Sequence, residues 1–208
     1  MPGVGFYEEQ VLPRIIDVLL GNRQVQQVRR PALEGLHGRV LEIGFGSGPN
    51  VGLYPDDVDV VLAVDPSAVG RRLAARRLAA SPIPVEFVGL DGQSLPVDDA
   101  SVDCVLSTWT LCTIPDVAAA LAEAARVLRP GGHLVFLEHG LSPDPRVAAR
   151  QHRLTPLQRR VAGGCHLDRD IPAIVRAAGF EVDRLTELDI AGPKVASHMF
   201  SGTATVAG

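Results

Sequence analysis

Four glycines, Gly44, Gly46, Gly48 and Gly52, fall within "LEIGFGSGPNVGLYP", directly after an apolar run. Glycine has no Cβ, so this backbone can approach a ligand closely. Its place, where a first strand hands over to a helix, is where nucleotide-like ligands lie in doubly wound sheets. The spacing discriminates among them. A dinucleotide loop reads GxGxxG, whereas this one reads GxGxG with Pro49 in the place of the last glycine. Two acids flank the loop. Glu42 would set a carboxylate near a ligand amino group and repel a pyrophosphate, and Asp65, ending "VVLAVD", is placed to accept hydrogen bonds from ribose hydroxyls. A ligand with an ammonium group and a ribose but no pyrophosphate satisfies both, which points to S-adenosylmethionine. An NAD-linked oxidoreductase is the runner-up.

Candidates for proton transfer follow. His139 lies at the carboxyl end of "HLVFLEH", the edge at which a crevice opens, and is the best-placed base; a histidine bonded to a neighbouring loop is the competing reading. His166 and Asp168, in "GGCHLDRD", come next, although Asp168 also suits a helix cap before Arg169. Cys165 adjoins His166, but neighbouring residues rarely face each other; Cys104 sits in an apolar strand and reads as packing. The three cysteines form no CxxC pair, so neither a metal site nor a disulfide framework is expected. Trp109, the only tryptophan, is a candidate wall of an acceptor pocket or a core residue. Tyr7, with Phe6, is a candidate lid.

These residues need a scaffold, and the pattern supplies one. The strands are read as "RVLEI", "VDVVLAVD", "PVEFVGL", "VDCVLST", "HLVFLEH", "EVDRLTEL" and "HMFSGTATV", alternating with helical stretches. That alternation predicts an α/β, Rossmann-like, mostly parallel seven-stranded sheet with helices on both faces. Asp116 is the expected cap of a helix ending at "RPGG", with Gly131 or Gly132 as its left-handed stop. After Pro66 a second helix sets Arg71, Arg72, Arg76 and Arg77 opposite an apolar face, a solvated surface rather than a nucleic-acid site. The 208 residues, 46% hydrophobic with net charge −4, suit a single domain 1–208 with an N-terminal helical segment 1–37 and a lid-like insertion 141–164. Pro156 should break that insertion. Its arginines alternate with Val147, Leu154, Leu157 and Val161, predicting a solvated lid with an apolar underside and leaving peripheral contact with an anionic membrane open. No stretch is long and apolar enough for an integral membrane segment, and "MPGVGFYEEQ" lacks the features of a secretory leader, so a cytoplasmic location is expected, with a small molecule rather than nucleic acid as partner.

The order of "EIGFGSGP", Asp65, "GLDGQSLP", "STWTLC" and "LRPGGHLVFLEH" along the chain resembles the class I S-adenosylmethionine-dependent methyltransferases over nearly all its length. The resemblance implies a sheet whose last strand is antiparallel. It also implies that Glu42, Gly44, Gly46, Gly48 and Asn50 line the methionine part of the cofactor and that Asp65 binds the ribose, with Pro66 against the adenine. Asp91 and Gly92 would meet the adenine amino group, and Ser107 and Thr108 would lie near the reacting sulfur. Within the class, "FYEEQVLPRIIDVLLG", "GSGPNVGLYP", "LCTIPD", "FLEH" and "GGCHLDRDI" look most like the branch containing the methyltransferase-like 7 proteins, thiol methyltransferases in animals. The animal proteins begin with a hydrophobic anchoring segment, from which this sequence departs. The implied activity is methyl transfer to a small thiol or similar soft nucleophile, leaving S-adenosylhomocysteine. The alternatives are methylation of a quinone, phenol or phospholipid amine, then an oxidoreductase or an inactive binding module.

Overall fold

A computed structural model describes residues 5–208; the first four residues, part of the stretch read for a leader, lie outside the described residues. A π-helical turn, Tyr7–Val11, leads into α1 (Leu12–Leu20), and α2 follows at Arg23–Leu33. Then come β1 (Gly38–Ile43), β2 (Val58–Val64), α3 (Ala68–Ala79), β3 (Val85–Gly89), β4 (Val102–Thr108), α4 (Val117–Val127), β5 (Leu128–His139), α5 (Pro145–Val161), α6 (Ile171–Ala177) and β6 (Phe180–Asp189). A 3-10 turn, Lys194–Ala196, precedes β7 (His198–Val206).

The strands pair in the order β3-β2-β1-β4-β5-β7-β6. β7 is antiparallel to both its neighbours, and the other pairs are parallel. Strand order reverses between β1 and β4, so their carboxyl ends diverge into helices on opposite faces and leave a crevice. Side-chain alternation divides the core. Leu41, Ile43, Val105, Leu134 and Phe136 pack against Leu121 and Ala124 of α4 and Ile171 and Val175 of α6. Val40, Leu106, Val135 and Leu137 pack with Leu33 of α2 and Leu36 beyond it. Every parallel strand at the centre is therefore apolar on both sides, which is why these runs lack a polar alternation.

Three local expectations give way. Asp116 does cap α4, accepting from the Ala119 amide at 3.0 Å, but the helix ends at Val127, where the extended backbone of Leu128 stops it before the glycines. Gly131 takes a φ of +83° within an irregularity of the β4–β5 pairing instead. Pro156 lies inside an unbroken α5. Its missing N–H removes one rung, yet the inward face holds the helix in place: Val147 is buried, and Gln151 donates to the carbonyls of Gly140 and Val195 at 3.0 and 3.1 Å. That inward face is Val147, Gln151 and Thr155, while Leu154, Leu157 and Val161 are exposed, so the underside is half polar and the apolar residues face outward. Ile15, Val18 and Leu19 of α1 are exposed as well. Among the described residues, no helix is long and apolar enough to cross a membrane.

Candidate active site

The carboxyl ends of β1, β2, β4 and β5 lie on one edge of the sheet, and each delivers part of the site. At β1 the glycine loop folds with positive φ at Gly44, Gly46 and Gly48. The three tolerate a side chain differently. A Cβ on Gly44 would collide with Thr110, and one on Gly48 would press on Phe45 and Val51. A Cβ on Gly46 would meet nothing closer than the Gly44 carbonyl at 4.0 Å, so Gly46 borders open space. Asp65, at the end of β2, accepts from the Gly46 amide at 2.8 Å and the Ser67 amide at 2.7 Å, which fixes the loop against the start of α3. Burial raises the Asp65 carboxyl above its ordinary value. Pro66 beside it is exposed.

Behind the loop lies a buried polar network. Glu42 accepts from Asn50 Nδ2 at 2.9 Å through one oxygen and from the Tyr54 hydroxyl at 2.5 Å through the other. Arg29 of α2 is fully buried and donates to Asn50 Oδ1 at 2.7 Å and Thr108 Oγ1 at 2.9 Å, with its guanidinium 4.4 Å above the Trp109 ring. Burial pushes the Glu42 carboxyl up to about 7 despite Tyr54, Asn50 and Arg29, and pulls Arg29 down to about 10. Glu42 thus holds the loop from behind. Asn50 and Thr108 are reached through the same network, and Trp109, at φ +54°, is half-buried beneath the arginine. Arg29 and Tyr54 carry no motif; the one sequence signal for Arg29 is its place in the buried stripe Val25, Arg29, Ala32 and Leu33.

The N-terminal helices brace this loop. Ser47 Oγ donates to Asp17 Oδ1 at 2.6 Å, and Arg77 of α3 donates to the same oxygen and to the Ser47 carbonyl, each at 2.8 Å. Gln26 Nε2 donates to the Pro49 carbonyl at 3.2 Å. Tyr7 reaches the Val161 carbonyl of α5 at 2.9 Å, so the N-terminal segment and α5 meet. Phe6 is exposed.

The loop after β4 is held from two sides. Glu138 of β5, fully buried, accepts from Ser107 Oγ at 2.8 Å and from the amides of Thr110 and Cys112 at 2.9 and 3.2 Å. Ser107 is therefore committed to Glu138. Arg169 donates to the carbonyls of Leu111, Ile114 and Pro115. Asp91 accepts from the Gln93 amide at 2.9 Å, and a Cβ on Gly92 would strike Ile43, so this turn presses against the end of β1.

His139 is buried, and its partners are cysteines. The bonding atoms of Cys112, His139 and Cys165 all lie within 4.8 Å of one another, and Nδ1 is 3.7 Å from Cys165 Sγ. Burial opposes the imidazolium, but hydrogen bonding with Cys112 and the negative charge of Glu138 outweigh it and hold His139 above the usual histidine value. Its Nε2 is buried with no hydrogen-bond partner among the described residues. The cluster joins residues from three separate stretches of chain, for which CxxC spacing gives no signal. His166 and Asp168 stand apart from it. The His166 amide donates to the Cys112 carbonyl at 2.7 Å, and Asp168 pairs with His152 at 2.9 Å. The cap of α6 is Asp170, accepting from Ala173 at 3.0 Å, because the helix begins two residues beyond the place read for it.

A model of the family described as "Methyltransferase domain" matches residues 41–136, the segment from β1 through the loop after β4 into β5. The thiol S-methyltransferase TMT1B of Rattus norvegicus is 32% identical over 145 residues, covering 68% of this chain and 59% of its own length. TMT1B of Homo sapiens is 32% identical over 161 residues, covering 72% of this chain and 66% of its own. This chain belongs to the class I S-adenosylmethionine-dependent methyltransferases. The crystal structure of the S-adenosylmethionine-dependent methyltransferase from Mesorhizobium loti superposes with a TM-score of 0.64 at 18% identity, covering 89% of this methyltransferase and all of the other chain. The chain spans about three fifths of the rat relative's length.

S-adenosylmethionine is the cofactor of this class, and the residues present in this methyltransferase fit it. Gly46 leaves open space at the loop, and Asp65 lies beside it. The cofactor's ammonium, sulfonium and ribose call for carboxylates and backbone carbonyls and need no pyrophosphate cradle, which the GxGxG loop does not offer.

Proposed function

We propose that this methyltransferase transfers the methyl group of S-adenosylmethionine to the sulfur of a small thiol, in the crevice at the carboxyl ends of β1, β4 and β5. The observation that carries the reading is the buried His139 imidazole at the end of β5, which keeps Nε2 unpartnered while Nδ1 is held near Cys165. The names of the rat and human relatives add support.

When bound, the cofactor supplies a methyl carbon already activated by its sulfonium. The chain has to orient the acceptor and take one proton, and orientation can contribute about 7–11 kcal/mol. Gly46 would face the methionine part of the cofactor and Asp65 its ribose, with Pro66, Asp91 and Gly92 toward the adenine. Glu42 and Asn50 act from behind the loop, and Thr108 acts with them through Arg29. Ser107 is a positioning residue that works through Glu138. Trp109 and Tyr7 border the acceptor side.

His139 Nε2 would take the proton of the acceptor thiol, and the cofactor, when bound, would supply the methyl group and be left as S-adenosylhomocysteine. A free thiol has a pKa of about 8.5, and a histidine held above about 6.5 lies closer to it, which narrows the gap for proton transfer. His166 and Asp168 shape the neighbouring loop rather than carry the proton.

The test is methyl transfer from labelled S-adenosylmethionine to an alkyl thiol, a phenol, a reduced quinone and a phospholipid amine, measured side by side. A thioether product with the thiol, at a rate above the other acceptors, is expected. Turnover confined to an oxygen or nitrogen acceptor overturns the reading.

A further inference from the structure

A second cluster lies at the opposite edge of the sheet, beneath the amino ends of β1, β4 and β5. Cys104 of β4 is buried and registers between Val40 of β1 and His133 of β5. Its Sγ is 3.6 Å from His133 Nε2 and 3.6 Å from His37 Nδ1, which comes from the turn between α2 and β1. The Gly35 carbonyl in the same turn is 3.2 Å from His133 Nε2 and 3.3 Å from His37 Nδ1. The two imidazole rings are 5.4 Å apart between centroids.

Without an ion, each ring nitrogen can donate to the Gly35 carbonyl and the Cys104 thiol donates to the His37 carbonyl at 3.6 Å, so the sulfur faces both ring nitrogens without a bond to either. A ring nitrogen has one in-plane bonding direction, used either by a proton or by a lone pair. Here each of two ring nitrogens has the same two partners, a sulfur and a carbonyl oxygen, and can satisfy only one of them well. Four donors that share neighbours pairwise are what a cation at their centre requires. Zinc bonds of about 2.3 Å to sulfur and about 2.0–2.2 Å to nitrogen and oxygen, at tetrahedral angles, separate sulfur from nitrogen by about 3.6 Å and nitrogen from oxygen by about 3.4 Å. The two sulfur–nitrogen and two nitrogen–oxygen separations lie within about 0.2 Å of these values, and the two ring nitrogens lie within 4.8 Å of each other.

We propose that His37, Cys104, His133 and the Gly35 carbonyl form a binding site for a borderline-soft divalent cation of the zinc type. Binding displaces the Cys104 thiol proton to solvent and forms one sulfur, two nitrogen and one oxygen bond to the ion, with no change of oxidation state. His37 is exposed, which gives an ion access from solvent without unfolding. Asp103, whose carboxylate contacts the Arg39 amide and Arg129, and Asp183 flank the site; Arg184 is the opposing positive charge. The site is distinct from the Cys112, His139 and Cys165 cluster at the other edge. An ion here would tie the α2–β1 turn to β4 and β5.

The purified, chelator-treated chain titrated with Co²⁺ should bind one ion per chain and develop the thiolate-to-metal charge-transfer absorption and visible bands of tetrahedral cobalt. Zn²⁺ should displace it and raise the Tm. Cys104→Ser should abolish the charge-transfer band, while His37→Ala, at an exposed position that leaves the core intact, should weaken binding by more than the ~10–100-fold typical of losing an outer-shell partner. Cys165→Ser should leave the band unchanged. No stoichiometric binding, or a band lost in Cys165→Ser and kept in Cys104→Ser or His37→Ala, overturns the proposal.

Discussion

Glu42→Gln separates the charge of this carboxyl from its shape. The folded protein holds Glu42 at about 7 against an ordinary 4.5, because burial outweighs Tyr54, Asn50 and Arg29. A carboxyl whose pKa rises on folding stabilises the native state below its unfolded pKa and loses that contribution as pH climbs through its folded pKa. Between pH 5 and pH 8, linkage with these two values makes the wild-type lose about 2–3 kcal/mol. Glutamine keeps the volume and an acceptor oxygen but cannot titrate. Whatever constant penalty it brings by facing the Tyr54 hydroxyl with an amide and leaving Arg29 less compensated cancels when one variant is compared with itself at two pH values. The assay is urea unfolding followed by circular dichroism at pH 5 and pH 8 for both proteins. The difference in unfolding free energy between wild-type and Glu42→Gln should move by about 2–3 kcal/mol in favour of the variant over that range, about 5–10 °C in Tm for a chain of this size. Parallel stability curves would refute the claim that Glu42 is ionised at a cost inside a dry network.

Gly46→Ala places a methyl group at φ +57° into open space. It should cost about 1–2 kcal/mol of stability, yet reduce S-adenosylmethionine affinity by well over tenfold in calorimetric titration; unchanged affinity would remove this edge from the cofactor cradle. Asp65→Ala releases the Gly46 and Ser67 amides and, at about 1.5–3 kcal/mol for bonds to a charged acceptor, should weaken cofactor binding about tenfold or more while the sheet persists. In His139→Asn, kcat should fall and lose its dependence on pH between pH 6 and 9 while cofactor affinity holds; a wild-type pH profile in the variant would retire His139 as the base.

The centre of the sheet was legible because β1, β2 and β4 are short, mostly apolar runs bounded by turn residues, and because Asp116 announces its helix. The glycine loop was legible for a similar reason: backbone geometry is written into local sequence. What escaped local reading depends on residues far apart. Glu138 reads as one half of an alternating strand end, yet it organises Ser107, Thr110 and Cys112 across the β4–β5 pair. Cys104 reads as packing, and only the strand register sets it beside His133. Pro156 illustrates the converse, a strong local breaker overruled by the tertiary contacts of Val147 and Gln151. Asp168 and Asp170 both suit a cap, and the helix start alone decides between them.

The family match begins at Leu41, but the loop it recognises leans on residues before it. Asp17 grips Ser47 and Arg77, and Arg29 supplies the cation behind Glu42 and Asn50. A fragment trimmed to the recognised segment would retain the signature and lose its counter-charge, leaving Glu42 to find another partner or take up a proton. In this fold the unit that inherits the motif is smaller than the unit that holds it in place, and a transplant of the glycine loop into another scaffold would need the two preceding helices to travel with it.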